Sequence, residues 1–182
     1  MFNLLLATTI LCELAAAAAV LLSIRFPARR IWPPDSPASW KNHLMGFLFL
    51  FPSVGIGILG MMDWGSVSLP SWCRIVFGIP PLLGGLVMFS WAAAVLGFGP
   101  TFGCGGPLTV GGPFRLSRNP QYAGCILMLI GWTLLTSSPF TAVASFFGVI
   151  PLALVPLAEE PWLREKFGVV YDEYRKRVPR FL

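Results

Sequence analysis

Apolar residues run through this chain in long blocks separated by short polar stretches. The blocks cover about Leu4–Ile24, Leu44–Met62, Trp72–Leu96, Pro120–Thr136 and Phe140–Leu157. A helix needs roughly 17–25 residues to cross the hydrocarbon of a bilayer, so each block is long enough, the fourth only marginally. Ser137, Ser138 and Pro139 separate the last two blocks by a short turn, which predicts a tight antiparallel helical hairpin. Pro80 and Pro81, with Gly84 and Gly85, are expected to kink the third span. Gly55, Gly57 and Gly60 would let a neighbouring helix approach the second closely.

The last block gives way to "EEPWLREKFGVVYDEYRKRVPRFL". Trp162, Leu163, Phe167, Val170, Tyr171, Tyr174 and Val178 recur there at spacings near three and four, with charged residues between. This predicts an amphipathic helix at the membrane surface or folded back over the bundle. Pro161 suits its first turn, and Glu159 and Glu160 suit its positive end.

Composition fits the pattern. Only 12% of the 182 residues are charged, against about 25% in soluble domains, and the mean hydropathy is +0.73. The reading is an all-α integral membrane protein: five transmembrane helices followed by a C-terminal amphipathic cytoplasmic helix. It forms a single domain over 1–182, with a three-span N-terminal part at 1–96 and the remainder at 97–182. The N-terminal block lacks the basic leader of a secretory signal. Cys12 follows the bulky Leu11, so a retained first helix is expected.

Charge sets the orientation. Of the 13 basic residues, all but Arg74 fall in the segment before the second span, the segment before the fourth, and the tail. The positive-inside rule then puts the C-terminus and both segments in the cytoplasm and the N-terminus outside. Cys12, Cys73, Cys104 and Cys125 show no CxxC spacing, and His43 is the only histidine. Neither a disulfide framework nor a metal centre is indicated, and no nucleic-acid partner is expected.

The candidate chemistry sits in "GPFRLSRNPQYAG", Gly112–Gly124. Asn119-Pro120 reads as an N-cap and first residue of the fourth span. A helix N-terminus there attracts anions, and Arg115 and Arg118 strengthen the field. The hairpin returns Glu159 and Glu160 to the same depth. A pocket carrying both signs of charge would suit a zwitterion. Gly103–Gly106 and Gly111–Gly112 free the connecting loop to wrap a ligand. Two plainer uses stay open on residue chemistry alone: arginines contacting lipid headgroups, and glutamates capping a helix. Glu13, inside the first span, is costly in lipid and is expected to face protein or a polar cavity.

Gly112, Pro113, Phe114, Arg115, Arg118, Pro120 and Tyr122, with Glu159, Glu160, Leu163, Phe167, Gly168, Tyr171 and Tyr174 beyond a hydrophobic hairpin, resemble the isoprenylcysteine carboxyl methyltransferase and phospholipid methyltransferase superfamily. The resemblance covers roughly residues 97–182. It implies S-adenosyl-L-methionine-dependent methyl transfer to a lipid or other lipophilic acceptor at the cytoplasmic membrane face. It also makes Arg118, Asn119, Pro120, Tyr122, Glu159 and Glu160 the cofactor candidates, with Gly97 and Gly99 of "GFG" beside them. Arg115, Arg164, Arg180, Tyr171 and Tyr174 are candidates for the acceptor. Headgroup contact for Arg164 and Arg180, and interfacial anchoring for the tyrosines, are the plainer uses. Asn119 departs from the family's frequent histidine and cannot take up a proton near neutral pH. A small-nucleophile methyltransferase and a non-catalytic membrane scaffold are the alternatives.

Overall fold

The computed structural model describes residues 1–101, 103 and 105–181, without the side chain of Phe98. Cys104, one of the four scattered cysteines and part of the 103–106 loop, lies outside the described residues. The described chain folds as helices alone. These are α1 (Phe2–Arg25), α2 (Trp40–Met62), α3 (Ser71–Leu96), the single turn α4 (Phe98–Thr101), α5 (Pro120–Thr136), α6 (Pro139–Phe167) and α7 (Val169–Arg177), with short 3₁₀ helices at Pro27–Arg29 and Gly112–Arg115. Four of them, α1, α2, α3 and α6, are long and apolar enough to cross a membrane, and α5 is a shorter apolar helix. Much of their outer surface is apolar: Leu4, Leu11, Leu50, Phe77, Val87 and Phe146 are all exposed.

Backbone-to-backbone glycine contact joins α3 to α5. A Cβ on Gly85 would meet Gly124 O at 2.5 Å, and one on Gly124 would meet Gly85 O at 2.7 Å. One heptad along, Gly78 abuts the backbone of Leu135, and Gly131 abuts that of Leu82. Seven-residue spacing on both helices keeps the small residues on one seam. The helix α3 continues through Pro80 and Pro81, and Gly85 is a packing residue on its α5-facing side. In α2, Gly55 sits against Thr9 and Gly60 against Trp132, while Gly57 has open space.

The turn between α5 and α6 is held at one end of the bundle. Ser137 takes a left-handed conformation, φ 50°, and the Ser138 hydroxyl accepts from Thr141 N and donates to Asp63 Oδ2. Arg74, the lone basic residue on this side, donates to Leu135 O at the end of α5 and lies over Trp64.

At the opposite end, Ser23 Oγ donates to Ala19 O and accepts from the amides of Ile31 and Trp32. That single hydroxyl folds the segment after α1 back on itself and turns Trp32 inward.

The tail differs from its expected form. No new helix starts at Glu159: α6 continues without interruption to Phe167, with Pro151, Pro156 and Pro161 inside it. The break comes at Gly168, φ 53°, a conformation that favours glycine. The nine residues of α7 follow, burying Tyr171 and Tyr174. Val170, expected beside them on the apolar face, is exposed.

Candidate active site

Residues leading into α5 are fixed by the C-terminal strand of chain. The Arg118 amide donates to Pro179 O at 2.9 Å. Ser117 Oγ donates to Arg180 O at 3.1 Å, Asn119 Nδ2 donates to the same carbonyl at 3.0 Å, and the Asn119 amide donates to Ser117 Oγ. Asn119 does occupy the N-cap position of α5, with Pro120 first in the helix, but its side chain makes no cap bond. It anchors the C-terminus instead. The reason is local: Ser117 Oγ and Arg180 O already surround the amide, and an asparagine Nδ2 is a donor that a carbonyl can satisfy.

Glu159 and Glu160 point to different partners. Glu160 is buried and forked by Arg180, Nε to Oε1 at 2.7 Å and Nη2 to Oε2 at 2.8 Å. Arg118 Nη1 reaches Glu160 Oε1 at 3.2 Å. Two arginines on one carboxylate make a bidentate, charge-assisted clamp between α6, the start of α5 and the tail. Glu159 Oε1 accepts from Tyr122 Oη at 2.6 Å and from Trp32 Nε1 at 2.7 Å. Neither glutamate caps a helix, because both lie inside α6.

Between these groups is a pocket of about 110 Å³. Its walls include Arg118, Asn119, Pro120, Gln121 and Tyr122 from the N-terminal end of α5, Glu159 from α6, and Tyr171 and Tyr174 from α7. Tyr174 Oη donates to Phe114 O at 2.6 Å; burial holds its phenol above the usual range, so it stays a neutral donor. Tyr171, 1% exposed, lies 3.5 Å from Arg118 Nη1. Glu160 is not among the lining residues, and neither are Gly97, Gly99, Arg115, Arg164 or Arg180. Gly97 ends α3 with φ 88°. Arg115 is exposed, and Arg164 is an exposed partner of Asp172.

A second, larger cavity of about 580 Å³ lies among α1, α2, α3, α5 and α6. Its walls are mostly apolar: Phe49, Ile56, Leu82, Phe89, Met128, Leu129 and Leu152. Gln121 and Tyr122 line both cavities, so the smaller pocket, whose lining adds Arg118 and Glu159 to apolar residues such as Leu163 and Phe167, shares a wall with the apolar cavity. Trp32 closes the same region from the segment before α2, and Gln121 Nε2 donates to Thr101 Oγ1 at the end of α4. Sequence reasoning named neither Trp32 nor Gln121. Trp32 is brought in by the Ser23 hydroxyl, across 127 positions from Glu159, and no local pattern signals that.

The donor set fits an amino-acid zwitterion. Arg118 Nε is buried with no hydrogen-bond partner among the described residues. Arg118 shares the pocket lining with the first turn of α5, whose amides lack intrahelical acceptors, and with the carboxyl of Glu159. At 110 Å³ the pocket is small beside the roughly 300–1,000 Å³ of drug-sized ligand sites.

Residues 73–169 match the phospholipid methyltransferase family. The chain belongs to that family and is an integral membrane protein. It is similar to a protein-S-isoprenylcysteine O-methyltransferase B of Arabidopsis thaliana, 32% identical over 76 residues, which are 40% of this chain and 37% of that protein. It is also similar to a steroid 5-alpha-reductase DET2 of Solanum lycopersicum, 34% identical over 113 residues, 61% of this chain and 43% of that protein. Both alignments span less than half the length of the relative. No solved structure matches the chain.

Proposed function

We propose that this protein is an S-adenosyl-L-methionine-dependent methyltransferase acting at the cytoplasmic membrane face on a lipophilic acceptor. The observation that carries the reading is the shared wall. Tyr122 and Gln121 separate a small pocket of mixed charge from a large apolar cavity, which suits transfer between a polar donor and a lipid-soluble acceptor. In this reading all five helices cross the bilayer. The N-terminus is outside and the C-terminus inside, as the placement of basic residues favours. Residues 1–96 then shape much of the acceptor's cavity, and 97–182 hold the donor.

Bound there, S-adenosyl-L-methionine supplies an electrophilic methyl group on a sulfonium. Arg118 and the N-terminal turn of α5 would hold its carboxylate, and Glu159 its ammonium or hydroxyls. Tyr122 and Trp32 fix the Glu159 carboxylate in place. Tyr171 and Tyr174 line the same pocket as Arg118, and an aromatic ring there would attract the sulfonium cation. Glu160 and Arg180 serve indirectly, by tying the tail to the start of α5. Asn119 positions that junction and moves no proton. The chain's contribution to rate is alignment in a site shielded from water. An acceptor that is already anionic, or a free amine, needs no base.

A second reading rests on the 34% match to the steroid reductase: the same two cavities would serve reduction of a lipophilic substrate by a hydride donor. One experiment separates the two. Purified protein in lipid nanodiscs is incubated with a membrane lipid extract and methyl-labelled S-adenosyl-L-methionine, and in parallel with reduced nicotinamide cofactor. Label appearing in an organic-extractable product supports methyl transfer. Nicotinamide oxidation with no label transferred overturns it.

A further inference from the structure

Glu13 is unused by the chemistry above, yet it lines the apolar cavity. It sits mid-way along α1, is 3% exposed, and its Oε2 has no hydrogen-bond partner among the described residues. Room for it is built into α6: a Cβ on Gly148 would meet Glu13 Oε1 at 2.7 Å. The glycine lets the carboxyl pass α6 and reach the cavity wall. A buried, unpaired carboxyl inside a membrane protein is costly, and among the described residues no hydrogen-bond donor to its Oε2 offsets that cost. A ligand group that pairs with it would.

The position of Glu13 gives a length. Gly148 and Glu159 lie on one helix, eleven residues apart, which is about 16 Å of α-helical rise. Glu159 holds Tyr122 at the wall shared with the smaller pocket. The cavity therefore has a reactive end at Tyr122 and a polar end at Glu13.

We infer that Glu13 is a specificity-determining residue for the acceptor: it selects a two-headed lipophilic molecule with its methyl-accepting group at Tyr122 and a hydrogen-bond donor, a hydroxyl or an amine, on its far end. This rests on the acceptor occupying the apolar cavity, as proposed above. Chain length between the two heads and the presence of the distal donor then decide which lipids fit. A plain hydrocarbon end would leave Glu13 unpaired and bind less well.

The test is a binding measurement without methyl transfer. Protein in phosphatidylcholine nanodiscs is titrated with dodecanoate, 12-hydroxydodecanoate and 12-aminododecanoate. The parent is expected to bind one or both of the donor-bearing probes about tenfold more tightly than dodecanoate, the upper size of one ordinary hydrogen bond; which of the two gains separates hydroxyl from amine. Glu13→Leu should bind all three alike, and Gly148→Ala, which crowds the carboxyl, should shrink the preference. Glu13→Gln, which keeps shape and some hydrogen bonding, serves if Glu13→Leu does not fold and should retain a smaller preference. Equal binding of all three probes by the parent, or an unchanged preference in the Glu13 variant that folds, overturns the inference. Titrating the same samples with S-adenosyl-L-methionine reports separately on the methyltransferase reading: intact donor binding with no probe preference sinks Glu13's role alone.

Discussion

Tyr122 donates its hydroxyl to Glu159 Oε1 at 2.6 Å, joining the first turn of α5 to α6 at the wall between the two cavities. The bond runs across the helical hairpin, and Trp32 donates to the same oxygen. Removing the phenol should leave the carboxylate held from one side only. Tyr122→Phe is expected to lose about 1–2 kcal/mol of stability and to weaken donor binding, because Glu159 is no longer fixed. Thermal unfolding in detergent and a donor titration measure the two effects. Unchanged donor affinity in a folded Tyr122→Phe would show that Glu159 needs no positioning.

The two glutamates should behave differently. Glu160→Gln breaks the fork to Arg180 and the contact to Arg118. Because the Arg180 side chain is 40% exposed, solvent takes up part of the loss. A destabilisation of about 2–3 kcal/mol is expected, with the tail released from α5. Glu159→Gln should leave the unfolding temperature nearly unchanged. Equal destabilisation by both substitutions would contradict the division of roles.

The glycine seam gives a prediction with an internal control. Gly85→Ala places a methyl group 2.5 Å from Gly124 O, so α3 and α5 must separate, at a cost of about 1–3 kcal/mol. Gly84→Ala, one residue away, meets nothing within 4 Å and should be neutral or slightly stabilising. Thermal unfolding of the pair decides. Similar transitions for both would mean that the seam is not tightly packed.

The apolar blocks made the helices legible in the sequence, because length and hydropathy are local properties. The motif residues Arg118, Asn119, Pro120, Tyr122 and Glu159 were legible as candidates and do gather around one pocket. What the sequence hid is how side chains divide their work. Two adjacent glutamates look equivalent in one dimension, yet along a helix neighbours point about 100° apart, and only Glu159 turns to the pocket. The end of α6 was misplaced because Pro161 looks like a helix start, whereas Gly168 is the true break. Trp32 was invisible because Ser23 sets its position through the fold.

Asn119 shows the same difference between position and partner. As a side-chain cap, Asn119 would be replaceable by aspartate. Its Nδ2 instead donates to Arg180 O, and aspartate has no donor to offer when ionised. Asn119→Asp should therefore be worse than Asn119→Ala, by roughly 1–2 kcal/mol, since two acceptors face each other. Asn119→His keeps a donor and should retain turnover. A stable Asn119→Asp, measured by chemical unfolding, would restore the capping role.

The central claim is that the pocket between α5 and α6 binds S-adenosyl-L-methionine through Glu159. Isothermal titration of the parent and of Glu159→Gln with that cofactor, on samples with matching unfolding temperatures, addresses it most directly. The account predicts saturable one-site binding by the parent and an affinity lower by about ten- to a hundredfold in Glu159→Gln, the value of a lost charge-assisted hydrogen bond. No binding by the parent, or the same affinity in both proteins, would contradict it.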